Sequence, residues 1–318
     1  MRFNTIAADE FTENSIIVVV VPDLIYTLNV VTKSLSFIAG SGGGEYKEGR
    51  GRDASFNEIL EIITSPIEAP KNLWIIEAKS ACIRTLNRVL NESSEFAGKC
   101  GTRDQVDGYI NTAIAGDITT MASNNENNVY IFDKTHHSIR LLRKEDNSWR
   151  IDTVHKLSSA DGYTERVNLM AFEASFNLLY MFTFHRVWRY KPETDEIDQY
   201  IDDDGLISRD DVDVSNAKSI LFFSKQLLLV NTGGKMVQAL DLRARTTTIV
   251  CSNSDSAPHE CGSSSFFKMI MHPTENSVLL AGYSTIDRLE YSGTLACINL
   301  GRGWRLYIPK FTLFRNNI

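Results

Sequence analysis

The chain has 318 residues, 43% of them hydrophobic and 23% charged, with a formal net charge of −7 at pH 7. This is an ordinary globular balance with ample material for a core. The acidic balance argues against a general nucleic-acid binder, which needs Lys and Arg to neutralise phosphates.

From the N-terminus, the first unit reads as four strands: Phe3 to Ala7, Ser15 to Val21, Leu24 to Leu28 and Leu35 to Ala39. Its longest apolar run, Ile16 to Val21, stops at Pro22 and is too short for a membrane span. No basic region followed by a long apolar stretch opens the chain, so no signal peptide is expected in the chain as written. The same four-strand order then returns. A second unit has strands at Phe56 to Ile63, Leu73 to Ile76, Ile83 to Leu86 and Glu95 to Gly98, and a third at Ile114 to Met121, Val129 to Phe132, Ile139 to Leu142 and Trp149 to His155. The fourth has Val167 to Phe172, Leu179 to Phe182, Val187 to Tyr190 and Ile197 to Ile201. The fifth has Val214 to Phe222, Leu227 to Val230, Val237 to Leu240 and Thr246 to Cys251. The sixth has Phe266 to Met271, Val278 to Ala281, Ile286 to Leu289 and Leu295 to Leu300, with Trp304 to Phe314 as a spare or replacement strand.

The second strands are near-continuous apolar runs, as expected where both faces are covered. The third strands alternate more, as expected nearer a rim. A short element precedes the later units at intervals of 43 to 59 residues: Glu48-Gly49, Asp107-Gly108, Asp161-Gly162, Asp204-Gly205 and a degenerate Glu260-Cys261-Gly262. Periodicity of this length means stacked supersecondary units. The expectation is an all-β fold, a six-bladed β-propeller of four-stranded antiparallel blades. It forms a single domain, 1–318, with blades at approximately 1–40, 54–98, 113–155, 166–202, 212–251 and 264–314.

Two stretches carry a family resemblance. Phe37-Ile38-Ala39-Gly40, Glu48-Gly49, Ala54-Ser55-Phe56-Asn57, Leu73-Trp74-Ile75 and Ile83-Arg84 resemble an NHL repeat, and Phe96-Ala97-Gly98, Asp107-Gly108, Val129 to Asp133 and Ile139-Arg140 resemble a second. The resemblance covers roughly the first half of the chain and implies an NHL-like propeller. Such propellers serve as protein-binding, RNA-binding and occasionally catalytic modules, and fold does not fix function.

Antiparallel connectivity puts the interblade linkers and the turns between second and third strands on one face, called the upper face. The functional reading of Glu48, Asp107, Asp161 and Asp204 is an acidic ring at the mouth of the central channel, with His137, His185 and Tyr283 on nearby turns. The plainer reading is turn chemistry: Gly permits φ > 0, and acidic side chains cap loop backbone. The histidines show no zinc-binding spacing, and Asp202-Asp203-Asp204-Gly205 lacks the alternating spacing of a calcium loop, so neither metal is supported and no cofactor is expected. Gly-x-Ser-x-Gly is absent, and Gly40 to Gly44 lacks the Gly-Lys-Ser/Thr ending of a phosphate loop.

Five cysteines are present. Cys82 and Cys100 flank a predicted hairpin turn at Asn91 and fall within disulfide range, and Cys251 with Cys261 could close a small ring. With the sequon Asn91-Glu92-Ser93 they leave two compartments open: cytoplasmic as the chain is written, or secreted if it is a mature fragment. The leading functional expectation is a non-catalytic module that binds a protein or peptide on its upper face, without a membrane span and without a signal of oligomeric state. The alternatives are a metal-dependent lyase or hydrolase at the central channel, and RNA binding through Arg50, Arg52, Arg103, Arg140, Arg143 and Lys144.

Overall fold

The computed structural model describes residues 3–65, 71–124, 128–158, 166–184, 186–201, 217–222, 227–232, 236–242, 246–252, 266–271, 273, 277–282, 286–292, 297–299, 304–306 and 310–316. Among them the chain is all-β, with one 3-10 turn at Gly51–Asp53. The first sheet is Phe3–Ala8, Ser15–Val20, Leu24–Asn29 and Leu35–Ala39, hydrogen-bonded in that order. The second sheet runs Ile59–Thr64, Asn72–Glu77, Ile83–Asn87 and Glu92–Ala97, and the third Ile118–Ser123, Asn128–Asp133, Ser138–Glu145 and Ser148–Lys156. The fourth runs Leu169–Glu173, Leu178–Phe182, Val187–Lys191 and Glu196–Ile201. The fifth runs Ala217–Phe222, Leu227–Thr232, Met236–Asp241 and Thr246–Ser252, and the last Phe266–Met271, Ser277–Gly282, Ile286–Ser292 and Lys310–Asn316.

The first strands of these sheets touch in a closed cycle. Phe3–Ala8 meets Ile59–Thr64, which meets Ile118–Ser123, then Leu169–Glu173, Ala217–Phe222 and Phe266–Met271, which returns to Phe3–Ala8. Antiparallel sheets packed radially about their first strands form a β-propeller arrangement. Alternation within each second strand explains its continuous apolar run. Ile17 and Val19 pack toward the second sheet, whereas Ile16, Val18 and Val20 pack toward the last. Leu73 and Ile75 likewise join the first seam, and Trp74 and Ile76 the seam with the third sheet. Successive side chains point to opposite faces, and here both faces are core. Each fully buried Val or Ile contributes about 1.5–3 kcal/mol of burial.

Two β-bulges recur. The first strands slip register at Phe3/Thr5, Ile59/Glu61, Ile118/Thr120, Ala217/Ser219 and Phe266/Lys268. The third strands slip against the fourth at Ile25/Tyr26, Ile83/Arg84, Ile139/Arg140, Val187/Trp188 and Val237/Gln238. A bulge raises local twist and re-aims the residue that follows it.

Several expected strand bounds shift. The first strand of the second sheet begins at Ile59, not Phe56. The N–H groups of Phe56 and Asn57 are taken by the buried carboxylates of Asp23 and Glu77 rather than by a ladder. The expected strand Ile114 to Met121 is split: Ile114–Ala115 pairs with Gln105–Val106 in a separate ribbon, Gly116 turns at φ 89, and the inner strand starts at Ile118. The last sheet takes its fourth strand from Lys310–Asn316, while Cys297–Asn299, inside the expected Leu295 to Leu300, pairs with Trp304–Leu306.

Candidate functional site

The inner strands enclose an axial cavity of about 400 Å³. Its walls are Ile6, Ala7, Ile62, Ile63 and Ile270, and it opens where Ala8, Thr64 and Ser123 end their strands and Glu10 follows the first. This is the lower face, which carries the first-to-second and third-to-fourth turns. The residues that follow the inner bulges are Thr5, Glu61, Thr120, Ser219 and Lys268, all polar in strands otherwise rich in apolar side chains. Some of them stitch one sheet to another. Glu61 Oε2 accepts from Met121 N at 2.9 Å and from Thr120 Oγ1 at 3.2 Å, and Ser219 Oγ accepts from Met269 N at 2.9 Å. Met121 and Met269 sit one residue beyond Thr120 and Lys268, and at each a neighbouring side chain supplies the acceptor. Lys268 reaches past the first sheet to donate to Glu61 Oε1 at 3.2 Å.

Around this opening the turns follow one recipe. A side chain at the end of a strand accepts two backbone N–H groups of the turn behind it, on one oxygen at Asp9, Asn29 and Asn87 and on both carboxylate oxygens at Glu173. Asp9 accepts from Phe11 and Thr12 at 3.0 Å each, and Asn29 from Val31 at 3.0 Å and Thr32 at 2.8 Å. Asn87 accepts from Val89 and Leu90 at 3.0 Å, and Glu173 from Ser175 at 3.1 Å and Phe176 at 2.7 Å. These capped turns hold out Phe11, Val31, Val89, Leu90 and Phe176, which are 46–66% exposed. Arg88 joins the first two sheets beneath them. It pairs with Asp9, donates to Thr12 Oγ1 at 2.9 Å and Thr27 Oγ1 at 3.0 Å, and lies 4.9 Å from the centre of the Phe11 ring. A second cavity, of about 500 Å³, lies between the third and fourth sheets on the same face, lined by Asn128, Tyr130, Phe172, Asn177 and Glu193 among others.

The residues singled out in the sequence fall elsewhere. The linkers do not stay on the upper face: Gly49–Arg50 and Gly108–Tyr109 descend along the outer edges of the second and third sheets and pair with Ser93–Glu92 and Ile151–Arg150. Both glycines hold φ 150, which L-residues rarely adopt. Glu48 therefore accepts from Glu95 N at 2.6 Å, and Asp107 from Thr153 N at 3.0 Å, Thr153 Oγ1 at 2.9 Å and Arg140 Nη2 at 3.0 Å. These two carboxylates clasp outer strands and do not meet at the channel. Tyr46 donates to Glu48 Oε1 at 3.3 Å, and burial followed by the Glu48 charge raises its pKa to about 12. His137 is an exposed turn residue at φ 49 whose carbonyl accepts from Leu157 N at 2.7 Å. Asp161, Asp204, His185, Tyr283 and Cys261 lie outside the described residues, as does the side chain of Cys251.

Cys82 and Cys100 are joined as a disulfide with Cα atoms 4.8 Å apart. The proposed basic patch is dispersed: Arg140 is fully buried, Arg103 pairs with Asp117, Arg143 with Asp152, and Arg50 with Glu92. His136 bonds Asp133 at 2.7 Å and His155 bonds Asp195 at 2.8 Å, each at a separate place. Among the described residues no His, Cys, Asp and Glu side chains gather in a metal-holding group, and no helix is long and apolar enough to cross a membrane. The lower-face site went unread in the sequence. Its one available signal was a polar residue third from the start of five of the six inner strands, at Thr5, Glu61, Thr120, Ser219 and Lys268; the fourth sheet has Ala171 there.

No family model and no curated protein matches the chain. Solved structures do. A structural-genomics protein of unknown function from Bacteroides thetaiotaomicron VPI-5482 aligns with a TM-score of 0.58 at 10% identity, over 89% of this chain and 67% of that one. U3-55K aligns with a TM-score of 0.55 at 10% identity, over 92% and 78%. YCF48 bound to D1 peptide aligns with a TM-score of 0.53 at 11% identity, over 94% and 80%. At these identities the likeness is one of fold, and the fold shared is the β-propeller.

Proposed function

We propose that the chain is a non-catalytic propeller module of six NHL-like blades that binds a protein or peptide. The blade number rests on six successive sheets of four or five strands whose first strands close a cycle. The observation that carries the binding role is the lower face: a preformed cavity beside apolar side chains held out on capped turns. Phe11, against Arg88, adjoins the Val89–Leu90 turn, and apolar side chains exposed together mark interaction surfaces, where anchors fixed in advance lose little entropy on binding. YCF48, which shares the fold, has been solved with a peptide bound. This reading moves the contact surface from the upper face to the lower, because Glu48 and Asp107 are spent on outer strands. It is tested by capture of partners from the native source on immobilised protein. Phe11→Asp with Val89→Asp should abolish capture, while Lys79→Glu, in an exposed second-to-third turn of the upper face, should leave it intact. Capture that survives the double change would refute the lower-face assignment.

A further inference from the structure

We infer that the axial cavity takes an apolar peptide segment carrying a basic side chain, its carbonyls facing Lys268 and its cation facing Glu10. This rests on the peptide-binding reading and names the chemistry of the segment. The cavity, about 400 Å³, lies within the size range of ligand sites and is far too small for a folded domain, so what enters is a side chain or a short stretch of chain. Its walls are mainly Ile, which selects an apolar side chain.

The polar groups decide the rest. Lys268 has three N–H donors, and among the described residues one bond, to Glu61, uses them. The remaining donors call for acceptors. Glu61 already offsets the Lys268 charge, and among the described lining residues no other charged side chain lies inside the mouth, so an anion finds no unpaired cation there. A neutral acceptor such as a peptide carbonyl satisfies the free N–H groups without adding charge. At the mouth the balance is different. Glu10 is exposed, lines the opening, and forms no ion pair among the described residues. Glu13, on the same turn, is also exposed. An incoming carboxylate would face Glu10 and Glu61 together, whereas a Lys or Arg side chain would pair with Glu10 where water still reaches it. Such a rim pair acts mainly on specificity and association rate. Phe11, next to Glu10 in sequence and stacked on Arg88, gives the aliphatic stem of that basic residue an apolar surface to lie on.

The probe is a phage-displayed random heptapeptide library, selected separately on the full chain and on its Glu10→Arg variant. Selection on the unmodified protein should enrich peptides with Lys or Arg beside an apolar residue. Selection on Glu10→Arg should replace that basic residue with an acidic one. The best synthetic peptide should bind the unmodified protein about tenfold more tightly than Glu10→Arg. It should lose binding altogether to Ala8→Trp, whose indole fills the mouth. Both altered residues are exposed, and matching thermal melts establish that the fold is kept. Enrichment of acidic peptides, no enrichment, or one affinity for all three proteins overturns the inference. If peptides fail here while partner capture still depends on Phe11 and Val89, the segment chemistry is wrong and the lower-face binding role stands.

Discussion

Arg84 and Arg140 look interchangeable in sequence, each following Ile in a third strand, and they do similar work with different carboxylates. Arg84 is fully buried and donates to Glu77 Oε1 at 2.6 Å, Ser55 O at 2.8 Å and Lys47 O at 2.8 Å, between the Tyr46 and Phe56 rings at 4.6 Å each. Arg140 is fully buried too and donates to the carbonyls of Ile114, Ala115 and Val106 at 3.1–3.3 Å. Burial lowers its pKa, against the opposing charge of Asp107. The third-strand bulge aims each guanidinium at the linker, where five fixed donors can hold several carbonyls at once. The carboxylates decide the mutational outcome. Glu77 is buried, so Arg84→Met strands a charge without water and should cost about 3–5 kcal/mol. Asp107 has a 44% exposed side chain and stays solvated when Arg140 is lost, so Arg140→Met should cost about 1–3 kcal/mol, mostly from the orphaned carbonyls. Adding Glu77→Gln to Arg84→Met should recover part of the loss. Urea unfolding measures all three proteins, and equal losses for the two single changes would contradict the argument.

At the scale of the element, second strands were legible in the sequence because both their faces are core, so the apolar run is unbroken. Linkers were not. The path of residues 40–58 is dictated by contacts distant in sequence: Asp23 accepts from Gly42 N at 2.7 Å and Ser55 Oγ at 2.7 Å, and Gly51 N donates to Asn91 O at 2.8 Å. No local pattern in Glu48-Gly49 announces that it descends an outer edge. Nor does one announce that Lys268 will meet Glu61, because a lone charged residue in a strand carries no partner with it. The pairing of Cys82 with Cys100 was readable because both flank a single hairpin. That disulfide ties the turn before Ile83 to the linker after Ala97, where Gly101 N also donates to Ser80 O at 2.6 Å. Reduction should lower stability by about 3 kcal/mol, the closure entropy of a loop of this length. Calorimetry with and without reductant, beside intact mass, checks it; equal transitions and an unbridged mass would refute it.

The seams between sheets carry a pH dependence of their own. Tyr130 stacks on Phe172 at 5.3 Å and Tyr180 packs edge-on to Tyr200 at 5.4 Å. Burial raises both phenols to about 12, Tyr180 with a further push from Tyr200. A group whose folded pKa is raised gives stability that is fully present below the unfolded value, near 10, and lost as pH climbs through the folded one. Stability should therefore fall between about pH 10 and 12, by roughly 1.4 kcal/mol per pH unit for each such tyrosine. Denaturant titrations across that window, with Tyr130→Phe and Tyr180→Phe each flattening the slope, measure the effect. A slope that the substitutions leave unchanged would assign it to other groups.

At the scale of the whole molecule, the ring has to close without a strand shared between its ends. The first sheet draws all four strands from 3–39, and the last ends with Lys310–Asn316 beside Ile286–Ser292. Closure therefore depends on packing, with Ile16, Val18 and Val20 against Ile270, Leu279 and Ala281. The Lys268 bridge to Glu61 spans the joint from inside. Packing of this kind holds only while the last sheet keeps its shape. Its fourth strand lies far from the joint but pairs along the full length of Ile286–Ser292. Removing residues 304–318 would leave that strand as an unpaired edge and drop several ladder bonds, each worth about 1 kcal/mol net. The truncated chain should lose on the order of 3–5 kcal/mol and aggregate on heating. Glu61→Gln, which keeps the ladder and removes one charge from the bridge, should cost less and leave a single transition. A truncated chain that melts like the full one would mean that the ring closes without its last strand, and that the joint between the first and last sheets is self-sufficient.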